Sequence, residues 1–569
     1  MRRAVTVAVL VVGWLVAAVL GAGPALAHAT VVSTDPADGS RLGSAPAQVS
    51  VRFSEHVTFS SGYLRVVDSK GRRVDSGAVE HPSGDASTVS VGLRQGLPND
   101  SYIVSYRVVS ADSHPVGGAF SFVVGNGPLI ASTGVVLGGG ASDRAVGVAF
   151  GVTRWLSFAG LVLLGGLAFL LLCWPAGRTM PRARRLVWTG WGAAAVAAVL
   201  GVLLQGPYAA GTGLGQMFSR SLLASTLSTT YGRMLCVRLI LLAVLAVFAV
   251  RLLADDTEVP EKDRARDEDL TAIVGLGVLA TYGGTGHAAA GSQPTLALLS
   301  DAAHLSAVSV WVGGLVVLTA CLLPSRRTDE LAGALPRFSQ IALGSVGVIL
   351  ATGTYQAWRE VGTIPALWGT GYGKLLLAKI GCFVLLVGLG YLGRTAVRRR
   401  YLIPVAHALS TRDEVEIGPS EDDYLVRRLR RSVGLEVAIA TAVLAVTAVL
   451  VSTAPARASY VQPYATTLKL AAGGTAELSM TPARQGPNTV HVYVFDQAGK
   501  LRDVQQVTLT AALPAEQIGP LPLSLAKVGT GHYQSTGVEL PRPGKWTLTV
   551  KVKTSEFDIS VAGADVPVH

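Results

Sequence analysis

Apolar and polar residues follow three regimes along this chain. Between residues 28 and 126 they alternate in short runs. Val49-Ser50-Val51-Arg52-Phe53 and Tyr102-Ile103-Val104-Ser105-Tyr106 are examples, set between Gly, Pro, Asp and Ser. A period of two predicts strands, and this many short strands predict an all-β Greek-key sandwich or barrel. Residues 127–143 form a Gly/Ser-rich linker. From 144 to 455 the alternation gives way to eight apolar runs, near 149–174, 185–205, 231–253, 270–288, 298–323, 338–358, 375–396 and 433–453. Each is long enough to cross a bilayer, which predicts an eight-helix, all-α membrane domain. Residues 459–569 return to alternation, as in Thr489–Phe495 and Lys545–Val550, with a turn at Pro541–Gly544. A second all-β sandwich is expected there.

The first 27 residues belong to none of these regimes. Met1-Arg2-Arg3, an apolar run to about Leu20 and Ala25-Leu26-Ala27 have the layout of a secretion signal. Cleavage after Ala27 would make His28 the N-terminus. Charge then orients the helices. Arg178, Arg182, Arg184 and Arg185 follow the first span, and Arg326, Arg327 and Arg337 the fifth. Arg394, Arg398, Arg399 and Arg400 follow the seventh, and Arg427, Arg428, Arg430 and Arg431 precede the eighth. With alternating spans all of these share one side, which is therefore cytoplasmic, and both β domains are extracytoplasmic. The net charge of +11 thus reflects membrane flanks rather than a nucleic-acid surface. Four cysteines, Cys173, Cys236, Cys321 and Cys382, all lie in apolar runs and none forms a CxxC. No disulfide framework is expected.

Two segments repeat. Tyr231-Gly232-Arg233-Met234-Leu235-Cys236-Val237-Arg238 parallels Tyr372-Gly373-Lys374-Leu375-Leu376-Leu377-Ala378-Lys379, and Gly165-Gly166 parallels Gly313-Gly314. This spacing predicts two four-helix halves in parallel orientation.

Candidate chemistry starts at His28, whose freed amine and imidazole would form one chelate. Asp112 and His114, two apart in extended backbone, face one side and can complete it. Three nitrogens and one oxygen suit Cu(II), and also Zn or Ni. In the membrane domain, ionisable residues are costly and tend to be functional. His287 lies at the outer end of the fourth span, and Asp301 and His304 share a face early in the fifth. They are candidates for a transport path, with interfacial hydrogen bonding as the plain alternative. Arg154, Arg238, Lys379 and Glu436 are candidate buried partners, and Met217 and Met234 candidate Cu(I) ligands. In the last domain, His491, His532 and Met480 are a candidate second metal site, though their spacing is no signature.

The residues now support a resemblance. His28-Ala29-Thr30 through Ser33-Thr34-Asp35-Pro36-Ala37-Asp38-Gly39, Phe53-Ser54-Glu55 and Val109–Gly118 resemble the motifs of CopC copper-binding proteins, in order. Asp301-Ala302-Ala303-His304 to Leu315, with the Tyr-Gly-Arg/Lys repeat, resembles CopD. A CopC–CopD fusion implies a Cu(II) site from His28, Asp112 and His114 with Glu55 in support. It also implies a role in copper transport or copper resistance. His56 departs from the pattern, standing where a proline is usual. No methionine lies between residues 2 and 179, so the thioether Cu(I) site of some CopC proteins is missing.

The expectation is therefore a copper-binding protein of the cytoplasmic membrane that captures Cu(II) outside and imports copper, with Cu(I) an option within the helices. Its partners would be copper ions, membrane lipid and an extracytoplasmic copper chaperone, not nucleic acid. Two alternatives stand beside it. One is copper sequestration, resistance or sensing with the helices as an anchor. The other is haem binding by His287 and His304. No nucleotide-binding loop is present. The aspartate beside the metal argues against an oxidative copper enzyme, so no catalytic residue is expected.

Overall fold

The computed structural model describes residues 29, 31–110, 115–126, 141–254, 261–285, 293–325, 327–397, 419–460, 464–471, 473–555 and 558–568. The chain divides into two compact units. One is helical and built on Gly138–Ser459; the other is β-rich and joins Ala29–Val108 and Val116–Leu137 to Tyr460–His569.

In the helical unit the apolar runs become α1 (Ala141–Leu172), α2 (Pro181–Ala210), a short α3 (Arg220–Ser228), α4 (Thr230–Leu252), α5 (Glu261–Gly283) and α6 (Pro294–Val317). They continue as α7 (Thr328–Val361), a short α8 (Ala366–Gly369), α9 (Gly371–Val397) and α10 (Pro419–Leu450). A π turn at Leu318–Leu322 carries α6 on to Ser325. Among the described residues seven helices are long and apolar enough to cross a membrane, not the expected eight. The difference is α5. It packs into the bundle through Val278, Leu279 and Tyr282. Its first turns, however, carry Asp263, Arg264, Arg266, Asp267, Glu268 and Asp269, and its apolar part runs only from Leu270 to Gly283. The apolar run expected at 270–288 continues past residue 285 into residues outside those described, so seven counts the described helices alone. Arg251 at the end of α4 pairs with Asp267 at 2.7 Å and ties down this charged end.

Small residues let the helices approach. A Cβ on Gly165 would lie 2.2 Å from the Ser309 carbonyl oxygen, and one on Gly313 2.3 Å from that of Val162. The two Gly-Gly pairs therefore form the crossing of α1 with α6. The Tyr-Gly segments also build matching joints. Thr229 accepts the Gly232 N–H at 3.2 Å, and Thr370 accepts that of Gly373 at 3.0 Å. A Cβ on Gly232 would meet the Thr226 carbonyl at 2.2 Å, and one on Gly373 the Leu367 carbonyl at 2.3 Å. Each glycine thus lets a short helix fold back on the start of a long one. The cysteines are free thiols, with Cys173 and Cys321 buried and Cys236 and Cys382 half-buried.

The β-rich unit holds two sandwiches. The first has one sheet of β1 (Val31–Asp35), β3 (Gln48–Phe53), β6 (Thr88–Leu93) and β5 (Asp75–Glu80), in that order. The other sheet is β2 (Arg41–Leu42), β8 (Pro115–Val124), β7 (Asp100–Ser110) and β4 (Val57–Asp68). Alternation sends Val49, Val51 and Phe53 inward from β3, where they meet Leu64, Tyr102, Val104 and Phe122. The second sandwich has one sheet of β14 (Ala526–Gly529), β15 (His532–Leu540), β11 (Gly486–Phe495), β10 (Thr475–Thr481) and β9 (Tyr464–Lys469). Its other sheet is β13 (Ile518–Leu523), β12 (Gln506–Leu513), β16 (Gly544–Lys553) and β17 (Ile559–Val568). Trp546 is fully buried between them. The two sandwiches touch. A Cβ on Gly486 would lie 3.3 Å from the Val32 carbonyl oxygen, and one on Gly537 3.6 Å from that of Asp38.

Candidate functional site

Of the expected Cu(II) ligands, His28, Asp112 and His114 lie outside the described residues. Glu55 is described; it sits half-buried in the turn between β3 and β4 and already has an interaction partner. The surrounding scaffold is well defined. Val31 pairs with Phe53 across β1 and β3, and the Phe53 ring meets Tyr106 edge-on at 5.7 Å. Gly118 closes this patch, since a Cβ there would lie 2.3 Å from the Tyr106 hydroxyl. Burial, with the nearby Asp38 charge, pushes the Tyr106 phenol up to about 12, so it stays a neutral hydroxyl. The glycine of the Val116-Gly117-Gly118 motif thus serves packing. His56 is exposed and sits apart from this core.

The helical unit holds a cavity of about 190 Å³ lined by both charged and apolar side chains. Asp301 and His304 of α6 both line it. Helices α1, α4, α6 and α9 contribute from their first halves, and α5, α7 and α10 from their last turns. The cavity therefore lies toward the end of the bundle where α1 begins and α10 ends.

Hydrogen bonds define the state of each donor. The Thr352 hydroxyl donates to the Val348 carbonyl at 2.6 Å, so it can only accept from the His304 Nδ1 2.9 Å away. His304 is then the Nδ1–H tautomer, and its Nε2 lone pair is left free. Gln356 Nε2 donates to Asp301 Oδ1 at 2.7 Å and holds that carboxylate. Arg238 is spent on structure. It donates to the Thr281 hydroxyl at 2.9 Å and the Thr281 carbonyl at 3.0 Å, and its guanidinium lies 3.6 Å over the Tyr282 ring. Arg154 donates to Ser452 and stacks on Phe150. Lys379 also lines the cavity and has no hydrogen-bond or ion-pair partner among the described residues.

Sequence reasoning passed over Gln356, Arg359 and Glu360 of α7 and the tyrosines Tyr282 and Tyr355, and singled out Tyr231 and Tyr372 only as members of the repeat; all of these line the cavity. The signal for α7 was present. Thr352, Gln356 and Arg359 recur at helical spacing on one face of an apolar helix. Four cations (Arg154, Arg238, Arg359 and Lys379) stand against the carboxylates of Asp301 and Glu360. His287 lies outside the described residues. Met217 and Met234 do not line the cavity, and Glu436 lies instead in a separate, mostly apolar cavity with Arg394 and Trp311. In the last domain Met480 is fully buried opposite Val490, whereas His491 pairs with Ser479. Met480 and His491 are thus on opposite faces of the sheet, and the expected site with Met480 is corrected to a histidine pair.

Residues 31–125 match the CopC domain family. Residues 144–295 match the family described as the N-terminal domain of copper resistance protein D-like proteins, and residues 332–450 the copper resistance protein D family. Over 547 residues the chain is 30% identical to the copper transport protein CutJ of Bacillus subtilis (strain 168), a match that covers 94% of each. Copper resistance protein C of Pseudomonas syringae pv. tomato is 35% identical over 105 residues, 18% of this chain and 82% of that one. The crystal structure of CopC from Methylosinus trichosporium OB3b matches at 26% identity with a TM-score of 0.16, covering 17% of this chain and 93% of that one.

Proposed function

From the premise that the chain belongs to the CopC–CopD fusion family, we propose that it captures Cu(II) outside the cell and carries copper inward through its helices. Capture falls to His28, Asp112 and His114, with Glu55 in support. The protein is a multi-pass protein of the cytoplasmic membrane with both sandwiches on the outer side. It acts as a carrier rather than an enzyme.

The observation that carries this reading is His304. A buried imidazole with Nδ1 tied to Thr352 presents Nε2 to a cavity that also holds Asp301. Nitrogen and carboxylate donors suit Cu(II) better than Cu(I), and among the described residues neither thiol nor thioether lines the cavity. Among the described residues no group of three His, Cys, Asp or Glu gathers as a resident metal site. The cavity fits brief passage of an ion, and its excess of cationic side chains shortens the ion's stay. A volume of about 190 Å³ falls below the ~300 Å³ at which small-molecule pockets begin, which speaks against haem.

That same cationic lining favours one second reading, in which copper is held outside for tolerance and the helices only anchor the domain. Intracellular copper separates the two. His304→Ala should lower accumulation to the level of cells lacking the protein, with unchanged thermal stability in detergent. Wild-type accumulation in that variant would overturn the membrane path and leave the tolerance reading.

A further inference from the structure

The outer face of the five-stranded sheet in the last sandwich carries a second arrangement of nitrogen ligands. Along β11, Val490, Val492 and Val494 point into the core, and His491 and Tyr493 point away from it, half-buried. Across the ladder His532 of β15 stands opposite Tyr493. The two imidazoles meet nitrogen to nitrogen, with Nδ1 of His491 3.0 Å from Nε2 of His532. Their ring centroids are 5.3 Å apart and their planes 24° apart. The excess of the centroid distance over the nitrogen distance is about one imidazole diameter. The two nitrogens therefore face each other along the line of centres, with a single proton between them.

The scaffold positions His532. Tyr493 stacks on His532 at 4.2 Å with planes 14° apart. Ahead of His532, Gly531 has φ of 60° and a Cβ there would lie 2.8 Å from the Val494 carbonyl oxygen, so only glycine fits. Its N–H donates to Asp503 Oδ1 at 2.8 Å. The bend that presents His532 is thereby held from both sides.

We infer that His491 and His532 form a second copper site, one that takes a two-coordinate monovalent ion, Cu(I), in line between the facing nitrogens. The ring that donates the shared hydrogen bond moves its proton to its other nitrogen through solvent. Both imidazoles then remain neutral, both lone pairs reach the ion, and no change of oxidation state is involved. Metal–nitrogen bonds of about 2.0 Å require a nitrogen separation of about 4 Å. The rings must part by roughly 1 Å, which side-chain rotation on an open sheet face supplies. Zn(II) and Cu(II) prefer four or more donors. Among the described residues no third His, Cys, Asp or Glu joins the pair, and Met480 lies on the other face. The site complements the first domain, where no thioether is available for Cu(I). The choice of copper rests on the family of the chain. The site itself is independent of the path through the helices.

The test is an anaerobic titration of the full-length protein in detergent with Cu(I), and in parallel with Ag(I), against a chromophoric chelator. Wild type should bind one equivalent more than His491→Gln, His532→Gln or the double variant, whose melting curves establish that they fold. His304→Ala should keep that equivalent, which separates this site from the membrane path. X-ray absorption of the Cu(I)-loaded wild type should show two nitrogen ligands at the added equivalent. Equal stoichiometry and affinity in the double variant, or a sulfur-ligated or four-coordinate ion at that equivalent, would overturn the assignment.

Discussion

The two Tyr-Gly segments start from one design and end in different roles. At Tyr231–Arg238 and at Tyr372–Lys379 a threonine caps the helix, a glycine admits the preceding short helix, and a tyrosine and a cation face the same cavity. In the first segment the cation is consumed, because Arg238 holds Thr281 and covers Tyr282. In the second, Lys379 has no partner among the described residues. The preceding helices differ in the same sense. Aligned on their Gly-Gly pairs, Asp301 and His304 of α6 correspond to Thr153 and Leu156 of α1. The metal-competent groups belong to the second segment and its partner helix. The first acts as a strut.

The sharpest break of this comparison is at the point the two sides share. Gly165→Val and Gly313→Val each drive a side chain into a backbone carbonyl of the facing helix. Backbone cannot give way as a flexible side chain can, so both variants should lose the folded, monodisperse species on size exclusion in detergent. A folded Gly165→Val beside an unfolded Gly313→Val would show that the crossing is not shared equally.

The shared crossing also shows what was legible in advance. Glycine pairs, apolar runs and strand alternation reveal themselves because burial imposes a period. Asp301 and His304 stand out as charge in an apolar run. Arg359 and Glu360 stand out less, because they lie at the end of α7, where polar residues ordinarily meet the interface, and only the helical spacing of Arg359 with Thr352 and Gln356 marks that face. Tyr282 and Tyr355 carry no mark at all, since aromatics are ordinary lining for helices, and Tyr231 and Tyr372 are marked only by the repeat. The apolar run at 270–288 is legible by its period, but the structure extends its helix back through the charged residues from Glu261. Alternation was sufficient to separate Met480 from His491, but the pairing of His491 with His532 depends on strand order, which no local pattern encodes.

A middle-sized effect separates the two cations. Arg238→Met removes hydrogen bonds from a buried charge and should cost roughly 1.5–3 kcal/mol, read as a lower melting temperature in detergent. Lys379→Met breaks no bond among the described residues, and its melting temperature should stay near wild type. Its effect should be on copper instead. A like unit charge about 10 Å away opposes a divalent ion by roughly 3 kcal/mol at an effective dielectric constant near 20. Loss of the ammonium should therefore lower the half-saturating copper for uptake by about a hundredfold. A destabilised Lys379→Met with unchanged uptake would make Lys379 a strut like Arg238, and the contrast between the segments would collapse.

The smallest effect tests the design that the segments share. Thr229→Ala and Thr370→Ala each remove a side-chain oxygen that accepts the glycine N–H three residues on. A lost helix cap costs about 1 kcal/mol. Both variants should melt a few degrees below wild type and keep normal copper uptake, because neither threonine lines the cavity. Thr370 is buried and Thr229 half-buried, so the orphaned N–H of Gly373 has less water to turn to and its variant should melt lower. The reverse order would mean that the joint between α3 and α4 carries load that the joint between α8 and α9 does not. The resemblance of the segments would then be one of sequence more than of mechanics.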